Sequence, residues 1–311
     1  MIDTIKARIL QPLSPSVRDR LGLVHSGFYS TGDARYAGHV SNLRVSTGGD
    51  GTNIEGSLAR YLHSENLSPF DRGDVSRSVE KLADDLEISE PYLREARLSR
   101  LDHGPNLVVP EVPGAYLRAL ADPGSRNRRS YLMDTVYYGK APFQVVLYDK
   151  LLQMEREHRR EFRGRLREVY EGKQMLRVEV RHLGRLKEQF GHPVVLGHLD
   201  DAAFYGGLGP RVLSEVERFA GAPPVVTGAA TNMKAMRRDH ERAGIEVRGG
   251  GEAALARIAE QARSGTIDRS QASRMRRWVG ETLAEPPSVD RRDLVAELIS
   301  LVAQATAQTE S

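Results

Sequence analysis

The chain contains no cysteine, and this absence removes several classes of protein at once. Without cysteine there is no disulfide framework, no cysteine zinc site, no iron–sulfur cluster and no cysteine nucleophile. The sequence also lacks any run of about 18 apolar residues, so it predicts no transmembrane helix. Its first residues lack the apolar stretch of a signal peptide. We therefore expect a cytoplasmic protein with no membrane partner.

A large excess of one charge is lacking too, because 45 Lys and Arg residues face 42 Asp and Glu residues and leave a net charge of +3. Most of the basic residues are arginine, whose planar guanidinium binds phosphate in a forked geometry. Arginine therefore favours a polyanionic partner, although a GC-rich genome produces the same composition. With 311 residues, 40% of them hydrophobic, the chain can fold without disulfides or structural metals.

The spacing of apolar residues changes near residue 200. Before it, apolar and polar residues alternate in several segments, as in half-buried strands. Strands are predicted at 2–9, 39–46, 52–55, 96–103, 134–138, 143–149 and 175–182, and helices at 58–63, at 75–86 behind an Asp74 cap, and at 151–171. After residue 200 only helices are predicted, near 210–220, 229–243, 251–264, 269–284 and 290–308.

The fold class that follows from this pattern is α+β. We expect residues 1–200 to form a catalytic domain, which is mainly an antiparallel sheet with flanking helices. Residues 201–311 are expected to form a small all-helical accessory domain. The segment 11–35, which is rich in Ser, Gly and Asp, is predicted to be a loop.

A glycine-rich run, Gly48-Gly49-Asp50-Gly51-Thr52, is the first candidate for chemistry. It resembles the signature of NAD kinases and diacylglycerol-type lipid kinases, in which glycine lets backbone N–H groups approach a phosphate. The parallel βα pattern of that fold is absent, and the segment before the run alternates like a half-exposed antiparallel strand. We therefore expect a hairpin turn here, with a nucleotide or lipid kinase as the alternative.

Three of the predicted strands carry a polar face, on which charged or phenolic side chains recur at every second position. These residues are Arg100 and Asp102, then Tyr148 and Lys150, then Arg177, Glu179 and Arg181. Taken singly, each pattern is typical of a solvated sheet face. If the three strands are neighbours, however, one face of one sheet carries two carboxylates, a phenol, an ammonium and several guanidiniums.

Such a face has the components of a phosphoryl-transfer site. The carboxylates of Asp102 and Glu179 are suited to Mg²⁺ or Mn²⁺. A phenol beside a lysine and a metal has its charged form favoured, so Tyr148 is the candidate nucleophile and Lys150 its catalytic neighbour. Since Tyr148 and Lys150 share the polar face, we expect the Tyr148 hydroxyl to be at least partly accessible.

The same motifs, in this order, resemble the filamentous-phage replication initiation proteins of the gene II/gene X family. The matching segments lie within residues 1–200: Met1-Ile2-Asp3, Ile54 to Leu62 followed by Asn66, Arg-Leu-Asp at 100–102, Leu-Tyr-Asp-Lys at 147–150, and Leu-Arg-Val-Glu-Val-Arg at 176–181. Each motif is short, and their combination carries the resemblance.

The resemblance implies a replication initiation endonuclease that nicks one strand of double-stranded phage or plasmid DNA at its origin. Tyr148 would attack the phosphodiester and stay linked to the 5′ phosphate, and the enzyme would later rejoin the displaced strand into a circle. It also implies Mg²⁺ or Mn²⁺ on Asp102 and Glu179, host helicase and polymerase as partners, and the bacterial host cytoplasm. Where this family often carries a Glu five residues after the tyrosine, the chain has Gln153.

Arginines near these motifs are the candidate DNA-binding residues. They are Arg100, Arg177 and Arg181 on the strands and Arg156, Arg159 and Arg163 on the predicted helix 151–171. A second cluster, Arg269, Arg274, Arg276 and Arg277, lies beside the single tryptophan, Trp278. Phosphate contact is one interpretation, and a solvated helix with internal salt bridges is the other.

A second function fits the same motifs. A domain can keep its fold and lose its chemistry, so a non-catalytic DNA-binding replication regulator of the same lineage is the main alternative to the nickase. Covalent capture of nicked DNA distinguishes the two.

Overall fold

The computed structural model describes residues 2–120, 128–131, 134–157, 170, 172–220, 245, 250–284 and 291–307. Within these residues the protein is α+β, as the sequence predicts, with an antiparallel sheet, flanking helices and a helical C-terminal part. None of the described helices is both long and apolar enough to span a membrane.

Eleven described strands form one sheet, and every pairing between them is antiparallel. They are β1 (Ile2–Ile9), β2 (Val24–Phe28), β3 (Ala34–Val40), β4 (Leu43–Gly48), β5 (Gly51–Ser57), β6 (Arg97–His103), β7 (Asn106–Val109), β8 (Arg128–Tyr131), β9 (Thr135–Lys140), β10 (Phe143–Asp149) and β11 (Gln174–His182). The spatial order is β2-β3-β4-β5-β1-β6-β11-β10-β9-β8, and β7 also pairs with β11.

The first helices flank the sheet: α1 (Pro15–Arg20), α2 (Leu58–His63), α3 (Arg72–Leu86), α4 (Glu90–Arg94), α5 (Pro113–Ala119) and α6 (Lys150–Glu157). After β11 come α7 (Leu186–Phe190), a short 3₁₀ helix (Leu196–Asp200), α8 (Ala202–Ala220), α9 (Gly250–Arg263), α10 (Arg269–Ala284) and α11 (Arg291–Ala307). The predicted helix 229–243 and most of the predicted helix 151–171 lie outside the described residues.

Within residues 11–75, the structure differs from the sequence prediction in three places. The segment 11–35 is not one loop, because it contains α1, β2 and the start of β3. The single strand predicted at 39–46 is two strands, since the chain turns at Ser41, which has a φ of +54°. The helix predicted to start behind Asp74 starts earlier, because Asp71 and Asp74 form a capping box in which each side chain accepts from the other's backbone N–H.

Two large hydrophobic clusters make up the core. The first joins β1, β4 and β5 to α2 and α3, and the second joins β9, β10 and β11 to α5, α8 and α11. In the second cluster the apolar faces of β10 and β11 pack beneath the helices, through Val145, Leu147, Val178 and Val180. The polar side chains of these two strands therefore point to the opposite face of the sheet.

One hydrophobic cluster contains residues from both sides of residue 200, where the domain boundary is predicted. Helices α8 and α11 follow residue 200 in sequence, yet Val212, Val216 and Leu298 belong to the same cluster as the strands. Only α9 and α10, among the described helices, have a small cluster of their own, which includes Ile258 and Val279. An apolar stripe on a helix predicts burial but does not tell which surface covers it.

The glycine-rich run forms a hairpin turn, which confirms the expectation for this segment. Gly48 on β4 pairs with Gly51 on β5, and Gly49 and Asp50 connect the two strands. Gly48 has a φ of +137°, and a Cβ at this position would lie 2.1 Å from the carbonyl oxygen of Ala34. Asp50 is exposed and accepts a hydrogen bond of 2.7 Å from Arg8. The glycines here serve backbone geometry.

Substitutions in this turn should therefore separate backbone geometry from chemistry. Gly48→Ala should lower the free energy of unfolding by at least about 2 kcal/mol, because the new Cβ meets a backbone oxygen at a disfavoured φ. Asp50→Ala removes only an exposed ion pair and should cost less than about 1 kcal/mol. Urea denaturation measures both values. A larger loss for Asp50→Ala than for Gly48→Ala would contradict the structural role of the glycine.

Candidate functional site

The register of three strands brings the polar residues of the sequence motifs onto one face of the sheet. Strand β11 lies between β6 and β10. Arg181 pairs with Asp102 across the first boundary, and Arg177 pairs with Tyr148 across the second. Directly paired residues in an antiparallel sheet project to the same face. The three strands that carry these motifs, β6, β11 and β10, are thus neighbours in the sheet, which the sequence alone could not show.

Gly104 allows this arrangement at the end of β6. Strand β6 pairs with residues 180–182 of β11, and β7 pairs with residues 174–177, so the chain crosses close to the backbone of β11 between them. Gly104 has a φ of +153°, and a Cβ there would lie 1.9 Å from the carbonyl oxygen of Val178. A residue with a side chain does not fit, and Gly104 therefore helps to hold Asp102 opposite Arg181.

Two buried carboxylates share one arginine at the centre of this face. Asp102 and Glu179 are 0% and 3% exposed. The Nε atom of Arg181 lies 2.8 Å from Oε1 of Glu179 and 4.0 Å from Oδ2 of Asp102. Arg100 approaches Asp102 from its own strand, with Nη2 2.5 Å from Oδ2. We call these four residues, together with Tyr148 and Arg177, the carboxylate–arginine cluster.

The two carboxylates have pKa values that move in opposite directions. Burial raises the pKa of Asp102 to about 7, and the nearby Glu179 charge adds to this, while Arg100 acts against it. Burial also opposes ionisation of Glu179, but the charges of Arg181 and Arg177 outweigh it and lower the pKa of Glu179 below its ordinary value. Two acids in one buried cluster thus differ in protonation near neutral pH.

The hydroxyl of Tyr148 is buried, which corrects the expectation that it is partly accessible. Tyr148 is 7% exposed and donates a hydrogen bond of 3.0 Å to Oε2 of Glu179. Burial and the Glu179 charge raise the pKa of Tyr148 well above its ordinary value. The surroundings of Tyr148 in this structure therefore favour the neutral phenol, and the charged phenol expected for a tyrosine beside a metal stays a prediction. Alternation shows which face a side chain occupies, but not whether that face is covered.

Lys150 is also buried, at 1% exposure, although it begins helix α6. Its Nζ donates a hydrogen bond of 3.2 Å to Oε1 of Gln153 and lies 5.9 Å from the centre of the Tyr148 ring. Burial, followed by the nearby charge of Arg177, lowers the pKa of Lys150 to about 8. Gln153 occupies the position where the phage replication family often has a glutamate. In this chain its side chain accepts a hydrogen bond from Lys150.

Two acidic residues extend the cluster, and sequence reasoning did not select them. Oδ2 of Asp3 lies 3.4 Å from Nη2 of Arg177, and Oδ1 accepts a 2.5 Å hydrogen bond from Ser57. Glu55 lies 3.5 Å from Arg100 on the exposed side. Both lie in segments that support the family resemblance, and that resemblance was the one signal that could have found them.

The candidate DNA-binding arginines divide into three groups. Arg100, Arg177 and Arg181 lie within the carboxylate–arginine cluster. Arg156 on α6 pairs with Asp134 at 2.5 Å instead. Arg159 and Arg163 lie outside the described residues. The second arginine cluster lies on α10, where Arg269, Arg274, Arg276 and Arg277 are exposed and Trp278 is 39% exposed.

The carboxylate–arginine cluster fits a divalent cation only in part. Within the described residues, no three or more His, Asp or Glu side chains form a group that could hold a metal ion. Mg²⁺, however, is often bound through one or two carboxylates, with water and substrate phosphates as the other ligands. Burial, and after it the charge of Glu179, raises the pKa of Asp102, and a nearby cation would favour the ionised carboxylate instead. The pair therefore fits two of the ligands of Mg²⁺ or Mn²⁺.

No protein-family model matches the chain, and no curated protein matches it significantly.

The lowered pKa of Lys150 predicts a pH-dependent stability difference. The ordinary pKa of 10.5 applies in the unfolded chain and about 8 in the folded one, so the charged lysine destabilises the native state at pH 7. Lys150→Met should therefore raise the free energy of unfolding at pH 7, by up to about 3 kcal/mol. This gain should shrink as the pH rises from about 8 to about 10.5.

Urea denaturation across that pH range measures the difference, and Lys187→Met at an exposed position of α7 is the matched control. A gain for Lys150→Met that is equal at pH 7 and at pH 10.5 would show that Lys150 keeps an ordinary pKa.

Proposed function

We propose that this protein is a replication initiation endonuclease that nicks and rejoins one strand of phage or plasmid DNA in rolling-circle replication, through a 5′-phosphotyrosine at Tyr148. One observation carries the proposal. The hydroxyl of Tyr148 lies 3.0 Å from a carboxylate oxygen of Glu179, in a cluster that also holds Asp102 and Arg181. A nucleophile, a base and cations for phosphate are the components that this reaction needs.

Glu179 is the residue positioned to accept the phenolic proton. Its lowered pKa keeps the carboxylate ionised, and Oε2 already accepts the hydrogen bond from Tyr148. The Tyr148 oxygen then forms a bond to phosphorus while the bond from phosphorus to the 3′ oxygen breaks, so that the leaving oxygen takes up a proton as a free 3′ hydroxyl. The reverse attack by a 3′ hydroxyl rejoins the strand, and it needs no ATP because the phosphodiester energy is kept in the tyrosine link.

The arginines of the cluster stabilise the charge that develops on the phosphoryl oxygens. Arg177 and Arg181 are already fixed beside Glu179 and need little reorganisation. Asp102 and Glu179 would hold Mg²⁺ or Mn²⁺, which supplies Lewis-acid polarisation of a phosphoryl oxygen. Lys150 contributes a nearby charge and positions the Tyr148 ring from α6.

Entry of DNA requires some of the ion pairs to open. The side chains of Arg100 and Arg181 are 28% and 24% exposed, so they form the solvent edge of an otherwise buried cluster. A DNA phosphate offers each guanidinium the same forked geometry as the carboxylate that it leaves. Exchange of one anion for another would keep each guanidinium paired, and the released carboxylate would take the proposed divalent cation as its new partner.

The proposal extends to partners and location. Origin DNA, double-stranded and then nicked, is the substrate, and host helicase and polymerase extend the free 3′ end in the bacterial cytoplasm. The exposed arginines of α10 supply further phosphate contacts, and the ring of Trp278 beside them offers a face on which a base can stack.

A second function is favoured by a separate observation. The burial of Tyr148 and its raised pKa are what a non-catalytic, DNA-binding replication regulator with the same fold would show. The nucleotide or lipid kinase loses its main support, because Gly48 to Gly51 form a turn between antiparallel strands.

Replacement of the nucleophile separates the two functions. Tyr148→Phe should abolish the covalent adduct and keep DNA binding, because the ring remains and the attacking oxygen is lost. The assay uses 3′-labelled single-stranded DNA of random sequence with Mg²⁺, and it measures label retained on denatured protein. Because Tyr148→Phe leaves Oε2 of Glu179 without its hydrogen-bond donor, the free energy of unfolding should also fall by about 1–3 kcal/mol.

Tyr137→Phe on β9 is the matched control and should form the adduct as the wild type does. Adduct formation by Tyr148→Phe would move the nucleophile elsewhere. If the wild-type protein forms no adduct on random DNA or on DNA carrying its own origin, the non-catalytic regulator becomes the better-supported function.

Asp102→Asn tests the metal ligands without relying on activity. Mg²⁺ should raise the melting temperature of the wild-type protein, because ligand binding to the native state stabilises it. Asp102→Asn should weaken Mg²⁺ binding by about 10-fold or more, since it replaces one of two charged ligands. Calorimetry with and without Mg²⁺ measures this, with the exposed Asp50→Asn as control. An equal Mg²⁺ response in the wild type and Asp102→Asn would remove Asp102 from the metal site.

A further inference from the structure

A cavity of about 740 Å³ opens beside the carboxylate–arginine cluster. It lies between the loop before α3 and the strands β1, β7 and β11, and its lining includes Asp3, Asn66, Asn106, Tyr170 and Arg177. A nucleotide of ordinary size fits within such a volume.

The side chain of Asn66 is buried in this lining with unused hydrogen-bonding capacity. Asn66 is 8% exposed, and its Oδ1 has no hydrogen-bond partner among the described residues. Its Nδ2 makes only long contacts of 3.5 Å with Asp3. The backbone around it is nevertheless fixed, since Nδ2 of Asn106 donates to the carbonyl oxygens of Asn66 and Leu67 at 2.9 and 3.0 Å. A fixed amide oxygen without a partner among the described residues is free to accept from a ligand or a water molecule in the cavity.

Arg177 connects this cavity to the tyrosine. It is 4% exposed, it lines the cavity, and its Nε has no hydrogen-bond partner among the described residues. The same Nε lies 3.8 Å from Oε2 of Glu179, the oxygen that accepts from Tyr148. One guanidinium thus connects the cavity to the carboxylate that holds the proposed nucleophile.

We propose that this cavity binds an unpaired nucleobase that carries an exocyclic amino group, adenine above all, from the nucleotide next to the scissile phosphate. The inference rests on the proposed function, because that function places a DNA strand across Arg177 and Tyr148. The Asn66 amide matches adenine, since Oδ1 accepts from the 6-amino group while Nδ2 donates to N7. The half-buried ring of Tyr170 offers a face for stacking.

The charges around the cavity suit a nucleotide rather than an apolar ligand. Arg177 lies at the inner end, and Arg72 and Arg77 line it at the start of α3. Two carboxylates, Asp3 and Asp71, also line it, so that the cationic side chains exceed the anionic ones by one. A base with its sugar and phosphate meets both the amide and the guanidiniums.

The experiment measures binding without chemistry. Labelled dA12 is compared, by fluorescence anisotropy in EDTA, with the same oligomer in which purine, lacking only the 6-amino group, replaces adenine. The wild-type protein should prefer dA12 by about 5- to 100-fold. Asn66→Ala should bind both oligomers equally, because the amide oxygen that accepts from the 6-amino group is lost, whereas Asn53→Ala on β5 should keep the preference.

A second pair of variants tests the cavity without altering the buried amide. Val108 and Val112 are 56% and 52% exposed, but only Val108 lines the cavity. Val108→Trp should therefore close the opening and lower the affinity for dA12 by about 10-fold or more, while Val112→Trp leaves it unchanged. The exposure of both positions makes either variant compatible with folding.

The proposal is overturned if the wild-type protein binds the two oligomers equally, if Asn66→Ala keeps the preference, or if Val108→Trp and Val112→Trp bind dA12 alike. Equal binding would mean that water alone satisfies Asn66. The test is independent of nicking. If the protein prefers dA12 but forms no covalent adduct with DNA, the nucleobase site is supported and the endonuclease function is contradicted. If it forms the adduct without this preference, the endonuclease function is supported and the nucleobase site is contradicted.

Discussion

The pairing of buried carboxylates with arginines on one sheet face is the constraint on which the rest of this structure depends. Asp102 and Glu179 come from different strands, and Arg181 contacts both, so the ion pairs join β6 to β11 at the centre of the sheet. Ionised groups are tolerated in such burial only when they are paired, and removal of one partner typically costs about 3–5 kcal/mol. A substitution that removes a charged residue of the candidate site therefore also destabilises the fold. In the proposed function, DNA would act on this same pairing, because a phosphate would replace a carboxylate at an arginine of the cluster.

Much of the fold and the composition of the site could be predicted from the sequence, because the side-chain period of two holds in any strand. The alternation in β6, β10 and β11 placed the polar residues on common faces, and the structure has these strands as neighbours. Their adjacency could not be derived from alternation, since it depends on the register between distant segments. The hairpin at Gly48 was predictable for a local reason, because turn chemistry is encoded within a few residues.

What the sequence could not predict follows from longer-range packing. Strict alternation in β1 would place Asp3 with Ile5 on the apolar face, but the register shift between Ile2 and Ile5 turns Asp3 toward Arg177. The burial of Tyr148 was missed because a polar face was assumed to be solvated. Every residue from 175 to 180 on β11 is buried, which means that both faces of this strand are covered. The contribution of α8 and α11 to the sheet core was missed for a similar reason, since an apolar stripe does not name its partner.

The proposed mechanism is tested most directly by identifying the protein atom that becomes bonded to DNA. After reaction of the wild-type protein with Mg²⁺ and DNA carrying its origin, nuclease and protease digestion followed by tandem mass spectrometry locates the modified residue. The account predicts a nucleotide joined through its 5′ phosphate to the tyrosine of the peptide containing Leu147, Tyr148 and Asp149. A nucleotide on any other residue would contradict it, as would an unmodified Tyr148 in a preparation that nicks the DNA.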